Sequence, residues 1–506
     1  MPQASNVDYS DMQGLLRFGF GKLTEACFLL LHITDTTKAS LWLEAAPVTT
    51  AEDQSPPPVR ALQLAFTQQG LSRLGVPSPV LDGFSSEFLS GMTGEENRSR
   101  RLGDVGENVP ASWLWGYQDK LPDIIALVYA RADLFLAWRE LLESQLLEAG
   151  CTIMQRLTTD DMGNIEPFGF ADGVSSPVVD WTRQRDPSGD KLNYENMTML
   201  GEFALGYPNE YGLYTDRPLI DDSHADLPDA EDQPGAKDLG RNGSYLVFRH
   251  IEQDVHGFWN FLSEQTGHRP DNTTQLAERL VGRRITGESL IDTTASPPII
   301  GVGPGGDDLR LNQFTFTSDG NGLACPLGAH IRRANPRNAD LPAGTHSSLA
   351  GRLFRILALD RVLNKESDAR GDRVASARFH RLQRRGREYG PKLTHEQRLA
   401  DRQPDEPSSG LHFICLNANI GRQFEFVQSA WLHSSNFDGL RDENDPLTGN
   451  RETVSGCPAA NFTIPAAKGV RQRIKDIPRF TTTRGGAYFF LPGIRALRYL
   501  VRCGRR

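Results

Sequence analysis

Along the chain, dense apolar runs alternate with stretches in which apolar residues recur three or four positions apart. The segments 26-ACFLLLHI-33, 123-DIIALVYA-130 and 151-CTIMQRLT-158 have the length and content of strands, since a run of about 4–8 residues is too short for an ordinary helix. Between the first two, 60-RALQLAFTQQGLSRLG-75 spaces its apolar residues at helical intervals and ends at Gly75 and Pro77, predicting a helix with its stop signal. Asp133 opens a further helix with Leu134, Trp138, Leu141 and Leu142 on one face, and Gly150 closes it. The rhythm returns in the second half, where 244-SYLVFRHI-251 leads into 254-DVHGFWNFL-262 and 411-LHFICLNA-418 leads into 422-RQFEFVQSAWL-432. Two rounds of strand, helix and strand predict α+β or α/β layers. Between them, 218-PLIDDSHADLPDAEDQPGAKD-238 is acidic, proline-bearing and without periodicity, a linker or exposed excursion. It sets the expected domains at 1–230 and 231–506. The charged stretch 360–383 predicts a surface insertion, and 494-IRALRYLVRCGRR-506 an amphipathic helix with a basic end.

Length agrees with two domains, because 506 residues exceed what one hydrophobic core usually holds. A hydrophobic share of 38% with 24% charged residues is that of a soluble globular protein. The net charge of −9 argues against nucleic acid as the main partner. The six cysteines are scattered, with no CxxC pair, which suits a reducing compartment. No export signal or twin arginine is found near the start, so a cytoplasmic location is expected. No apolar run approaches the ~20 residues that cross a bilayer, and no membrane partner is expected. A homo-oligomer is left open.

Several motifs compete for a chemical role. The segment 301-GVGPGG-306 satisfies GxGxxG, but Pro304 and the strand-like residues after it deny the helix that would cradle a dinucleotide. The acidic loops 160-DDMGN-164 and 442-DENDPLTGN-450 lack the spacing of a calcium loop and read as solvated turns. In 167-PFGFADGVSSP-177, Asp172 sits before a glycine, as an ordinary turn acid does. In 325-CPLGAHIRRANPRN-338, His330 precedes Arg332, Arg333 and Arg337. A surface or core histidine is the plain reading; the sharper one is an axial ligand to haem, whose two carboxylates would pair with the arginines. Cys325 stands five positions before His330, not in the CxxCH pattern of covalent attachment. The stretch 384-RRGREYG-390 alone is a basic turn after a helix.

Taken together, GFADG at 169–173, CPLGAHIRRANPR at 325–337 and RRGREYG at 384–390 occur in the order found in dye-decolorising peroxidases, which the chain strongly resembles. The segments 11-DMQGLLRFGFG-21, 241-RNGSYLVFRH-250, 422-RQFEFVQSAW-431 and 479-RFTTTRGGAYFFLP-492 extend the resemblance over most of the chain. It resembles the longer-chain branch of that family, given the wide gap between His330 and Arg384.

The resemblance implies an α+β protein of two ferredoxin-like domains, each an antiparallel sheet with peripheral helices, holding haem b non-covalently in the C-terminal domain. It implies a peroxidase that uses hydrogen peroxide to oxidise phenolic or dye-like donors through a ferryl intermediate. Asp172 becomes the distal acid, Arg384 the distal guanidinium with Arg385 as its alternative, and His330 the proximal iron ligand. Arg332 and Arg337 are expected to hold the cofactor, and Gly169 and Gly173 to let their loop approach it. The partner of His330 is sought near Asn419 and Glu425. Tyr389, Trp259 and Trp431 are either core aromatics or relays to large donors outside the cavity. A haem carrier or iron-release protein, which binds porphyrin without turning over peroxide, is the rival function.

Overall fold

The computed structural model describes residues 6–185, 196–221, 225–291, 309–312, 314–338, 376–452 and 459–503. The GxGxxG segment 301–306, residues 360–375 of the expected insertion, and Cys457 lie outside them.

The first half contains β1 (Glu25–Ile33), α1 (Thr36–Ala45), β2 (Arg60–Phe66), β3 (Ile124–Ala130), α2 (Ala132–Glu148) and β4 (Cys151–Thr158). Its strands lie in the order β2-β3-β1-β4, every pair antiparallel. The second half contains β5 (Ser244–Gln253), α3 (Val255–Gln265), α4 (Pro270–Val281), α5 (His330–Ala334), β6 (Gln383–Arg384), β7 (Arg387–Tyr389), β8 (Ser409–Asn417), β9 (Thr481–Leu491) and α6 (Ile494–Cys503). Here β6 and β7 both pair with β8, and the order continues β8-β5-β9. In each half the fourth strand lies beside the first and the third on the first strand's other side, which is the ferredoxin-like arrangement. The two halves meet where β9 lies against β2 through the single pair Phe490 and Phe66, making one nine-stranded sheet.

Both faces of this sheet are covered. On one, Leu29, Leu64, Val128, Val247 and Phe490 share a core with Leu497, Leu500 and Val501 of α6, so the C-terminal helix packs back on the first half. On the other, Phe28, Leu127, Phe248, Ile414 and Phe489 are packed together. Burial on both faces explains why the central strands read as unbroken apolar runs.

That burial also explains a misreading. Residues 60–66 form β2, and only Gln68–Arg73 is helical, capped by the Thr67 hydroxyl. Ala61, Leu64 and Ala65 match helical spacing only because every position of the strand from 61 to 66 is buried. The polar member, Gln63, is used to tie down the N-terminal segment: its Oε1 accepts the Leu15 N–H at 2.8 Å. In α2 the buried face is Trp138, Leu142 and Leu146, a strict four-residue spacing, whereas Leu134 and Leu141 face outward. The described part of 218–238 is a packed excursion, not a loose linker: Leu227 and Ala230 are buried, and Asp238 accepts from Arg217 at 2.6 Å.

One helix departs from α geometry. Residues 421–432 run as a π-type segment, in which the Glu425 N–H reaches back five residues to the Ile420 carbonyl and the His433 N–H to that of Gln428.

Candidate functional site

A cavity of about 300 Å³ lies against the second half-sheet. Ile251 of β5 and Leu411 and Phe413 of β8 form its floor, and Phe424, Val427 and Trp431 of the π-type helix contribute another wall. Into it come Asp172 from a loop, His330 from α5 and Arg384 from β6, three residues distant in the chain.

The loop bearing Asp172 is a small hairpin. The Glu166 N–H bonds the Phe170 carbonyl at 2.9 Å, and the Asp172 N–H bonds that of Asn164 at 2.9 Å. Gly169 turns it at φ 103°, a conformation that L side chains avoid, and a Cβ there would strike Arg398. Gly173 also has positive φ, at 78°. Neither glycine is part of the cavity wall; both shape the loop. Inside the hairpin the Glu166 carboxylate accepts the N–H groups of Phe168 and Phe170, each at 3.1 Å, and the Gln253 side chain at 2.9 Å. Burial pushes its carboxyl up to about 7 against those bonds, and the charge of Asp172 adds to the rise.

Fully buried Trp259 donates its indole N–H to the Phe168 carbonyl at 2.9 Å, which gives this tryptophan a structural use. Trp259→Phe leaves that carbonyl unpaired and should cost about 1–3 kcal/mol. Urea unfolding would measure the loss.

Arg384 Nη1 stands 3.3 Å from Asp172 Oδ1, and the two side chains are 36% and 33% exposed. Arg385 points elsewhere: its guanidinium donates to the carbonyls of Leu15 at 2.8 Å, Leu16 at 3.5 Å and Arg17 at 3.3 Å. Successive strand residues face opposite sides, so 384 reaches the cavity and 385 fastens the segment 11–21 to the sheet.

His330 opens α5, and its Nδ1 lies 2.9 Å from Asp445 Oδ2. Asp445 is fully buried, and its Oδ1 accepts the N–H groups of Leu447 at 3.0 Å and Thr448 at 2.8 Å, and the Thr448 hydroxyl at 3.1 Å. Burial would raise its pKa, yet His330, Thr448 and Arg333 together hold it well below the usual carboxylate range. For His330, burial opposes the cation, but the Asp445 carboxylate outweighs it and raises the imidazole. With Nδ1 engaged, Nε2 is left for a ligand. The expectation that 442–450 is a solvated turn is thus corrected. Asn419 and Glu425 are not the partner: Asn419 accepts the Arg422 N–H at 2.8 Å, and Glu425 pairs with Arg98 at 2.7 Å and Tyr488 at 2.9 Å. Nothing in the sequence connects Asp445 to His330 beyond an acid able to turn back on the N–H three residues later.

The arginines after His330 divide. Arg337 lines the cavity, bonding the Asn312 carbonyl at 2.9 Å and lying 3.9 Å over the Phe314 ring. Arg332, expected to hold a ligand, is not brought to the wall; it is buried and bonds the carbonyls of Asp319 at 3.0 Å and Cys325 at 2.9 Å. Arg333 likewise secures backbone, at Trp431 and Glu443. Two cations escaped the sequence reading, Arg283 and Arg381, because they stand in no motif; both line the cavity. Trp431 is on the wall as well, whereas Tyr389 stacks on His412 at 4.6 Å, on the other side of β8.

Five arginines (249, 283, 337, 381 and 384) therefore face two carboxylates, Glu166 and Asp172, across a mainly apolar cavity. Arg249 is neutralised by buried Asp104 at 2.8 Å. An apolar cavity with these cations on its wall suits a planar apolar ligand with anionic substituents. Among the described residues no cysteine lines the cavity, and no cluster of three His, Cys, Asp or Glu side chains could hold a metal unaided. Single-residue ligation by His330 fits a metal already held by a macrocycle.

No protein-family model matches the chain. Curated relatives do. The dye-decolorizing peroxidase msp1 of Mycetinis scorodonius is 28% identical, over 98% of this chain and 88% of that protein. The multifunctional dye peroxidase DyP2 of Amycolatopsis sp. is 27% identical, over 99% and 94%. Among solved structures, the decolorizing peroxidase of Auricularia auricula-judae superposes with a TM-score of 0.69 at 22% identity, covering 98% of this chain and all of that one (100%). A dye-decolorizing peroxidase in complex with 2,6-dimethoxyphenol gives a TM-score of 0.69, also at 22% identity, over 98% and 99%. These structural likenesses carry the fold.

Proposed function

We infer that this chain, a member of the dye-decolorising peroxidase family, is a haem peroxidase that uses hydrogen peroxide to oxidise phenolic or dye-like donors. One observation carries the reading: His330, braced by a buried carboxylate, opens on the same cationic apolar cavity as the Asp172–Arg384 pair. His330 Nε2 would hold the iron of haem b, whose carboxylates would meet the cavity-lining cations Arg337, Arg283 and Arg381.

When bound, haem supplies an iron centre that takes oxidising equivalents from peroxide and passes them to donors one electron at a time. The protein moves the protons. The Asp172 carboxylate can accept a proton from one peroxide oxygen and return it to the other as that oxygen leaves as water. Negative charge grows on the leaving oxygen as the O–O bond breaks, and the Arg384 guanidinium, fixed beside Asp172, stabilises that charge more than it stabilises the bound reactant. The hydrogen bond to Asp445 orients His330 and makes it a stronger donor to a metal. Cys27, Cys151, Cys325 and Cys415 are buried free thiols, which supports a reducing location such as the cytoplasm. Among the described residues no helix is long and apolar enough to cross a membrane.

The haem-loaded chain, given peroxide and 2,6-dimethoxyphenol, should accumulate many equivalents of oxidised phenol per chain. Bleaching of the haem with less than one equivalent of product would favour a carrier and overturn the reading.

A further inference from the structure

The hairpin that carries Arg384 also carries an acid not yet given a task. On β7, Glu388 is in register with Leu411, which lines the cavity, while its neighbour Tyr389 stacks on His412 beyond the strand. By strand alternation the Glu388 side chain therefore leaves the sheet on the cavity side, at its edge. The edge is pinned there: the Glu388 carbonyl accepts the Asp160 N–H at 3.1 Å, and Asp160 Oδ2 accepts the Gly390 N–H at 2.8 Å.

The charged groups acting on it are Asp172 and Glu166 from the loop and Arg387 on its own strand. The loop acids already have partners: Asp172 stands against Arg384, and Glu166 is held by two N–H groups and Gln253. Glu388 forms no ion pair and no hydrogen bond to another side chain among the described residues, and it is half-buried, open to water. Burial, then the charge of Asp172, pushes its carboxyl up to about 7. It is thus an acid able to gain and lose a proton near neutrality, on the cavity side of the hairpin whose Arg384 meets Asp172.

We propose that Glu388 is a positioning residue that exchanges protons between water and Asp172 and so sets the pH range over which Asp172 works. Reduction of hydrogen peroxide to two waters takes up two electrons and two protons. The phenols that release those protons on oxidation do so where they are oxidised, so protons must return to the cavity. In the proposed step the proton leaves the Glu388 carboxyl oxygen for a water molecule, that water gives one of its own protons to an Asp172 carboxylate oxygen, and Glu388 is reprotonated from bulk water.

The proposal rests on Asp172 acting as the peroxide base, and the experiment separates the two. The rate of reaction of the haem-loaded full chain with hydrogen peroxide is followed by stopped flow across acid to alkaline pH for wild type, Glu388→Gln, Glu388→Asp and Asp172→Asn. Infrared spectra of the same proteins without peroxide follow the protonated carboxyl band. Wild type should show an inflection near pH 7. Glu388→Gln should lose it and remove part of the carboxyl band titrating near neutrality, and Glu388→Asp should restore the inflection. An inflection that survives in Glu388→Gln belongs to Glu166 and overturns the proposal, as does a uniform fall in rate with no change in profile. Wild-type rates in Asp172→Asn would instead sink the functional reading itself.

Discussion

His330→Ala should yield a folded chain that no longer retains haem. Among the described residues two other histidines line the cavity, and both are held otherwise. His380 lies flat on Phe426 with ring centroids 3.7 Å apart, its Nδ1 on the Arg422 carbonyl. His433 has both ring nitrogens engaged, with the Asn450 N–H at 3.1 Å and the Gln428 side chain at 2.8 Å. Burial pushes both imidazoles down to about 4, and neither shows the hydrogen bond to a carboxylate that His330 has. The fold should survive because Asp445, deprived of His330, keeps the N–H groups of Leu447 and Thr448 and the Thr448 hydroxyl. Loss of the haem absorption band with an unchanged circular dichroism spectrum is the expected pair of results. Asp445→Asn should bind haem but hold it about 10–100-fold less tightly, the usual scale for a partner behind a ligating histidine, as transfer to apomyoglobin would measure.

Asp172→Asn should retain haem and slow the reaction with peroxide by ~100-fold or more, the ordinary contribution of a positioned acid-base group. Asparagine keeps the shape of the side chain and can still face Arg384, but it cannot carry a proton from one oxygen to the other. Arg384→Leu should cost about 100–1,000-fold, as does removal of a group aimed at charge developing in a transition state. Because the two side chains stand 3.3 Å apart and serve the same bond-breaking event, their combined loss should be much smaller than the product of the single losses. Rapid mixing of each haem-loaded variant with peroxide would give all three rates.

Much of this could be read from the residues in order. Strands β1 and β3 were legible because buried strands on a doubly covered sheet are short, apolar and bounded, and β4, an edge strand buried only at Cys151 and Leu157, by its length and bounds. The same cover hid β2, whose unbroken burial imitates any period one chooses. At the site, Asp172, His330 and Arg384 were legible through the motifs around them, and all three reach the cavity. Asp445 was not, since a turn acid that faces solvent and one that faces a histidine are written alike; only the packing around residues 432–449 distinguishes them. Arg332 and Arg337 were equivalent in sequence, yet a five-residue helix turns one to the carbonyls behind it and releases the other to the cavity.

The π-type helix has a consequence of its own. Phe424, Val427, Trp431 and Leu432 reach the cavity from a segment whose turns are wider than those of an α-helix. Losing one residue from 421–432 would let it tighten to ordinary winding and swing everything downstream by ~100° about the axis, carrying the indole of Trp431 off the wall. This stretch should therefore accept exchange of one bulky side chain for another while refusing any change in its residue count, so that relatives sharing the pocket would differ here in spelling but not in length.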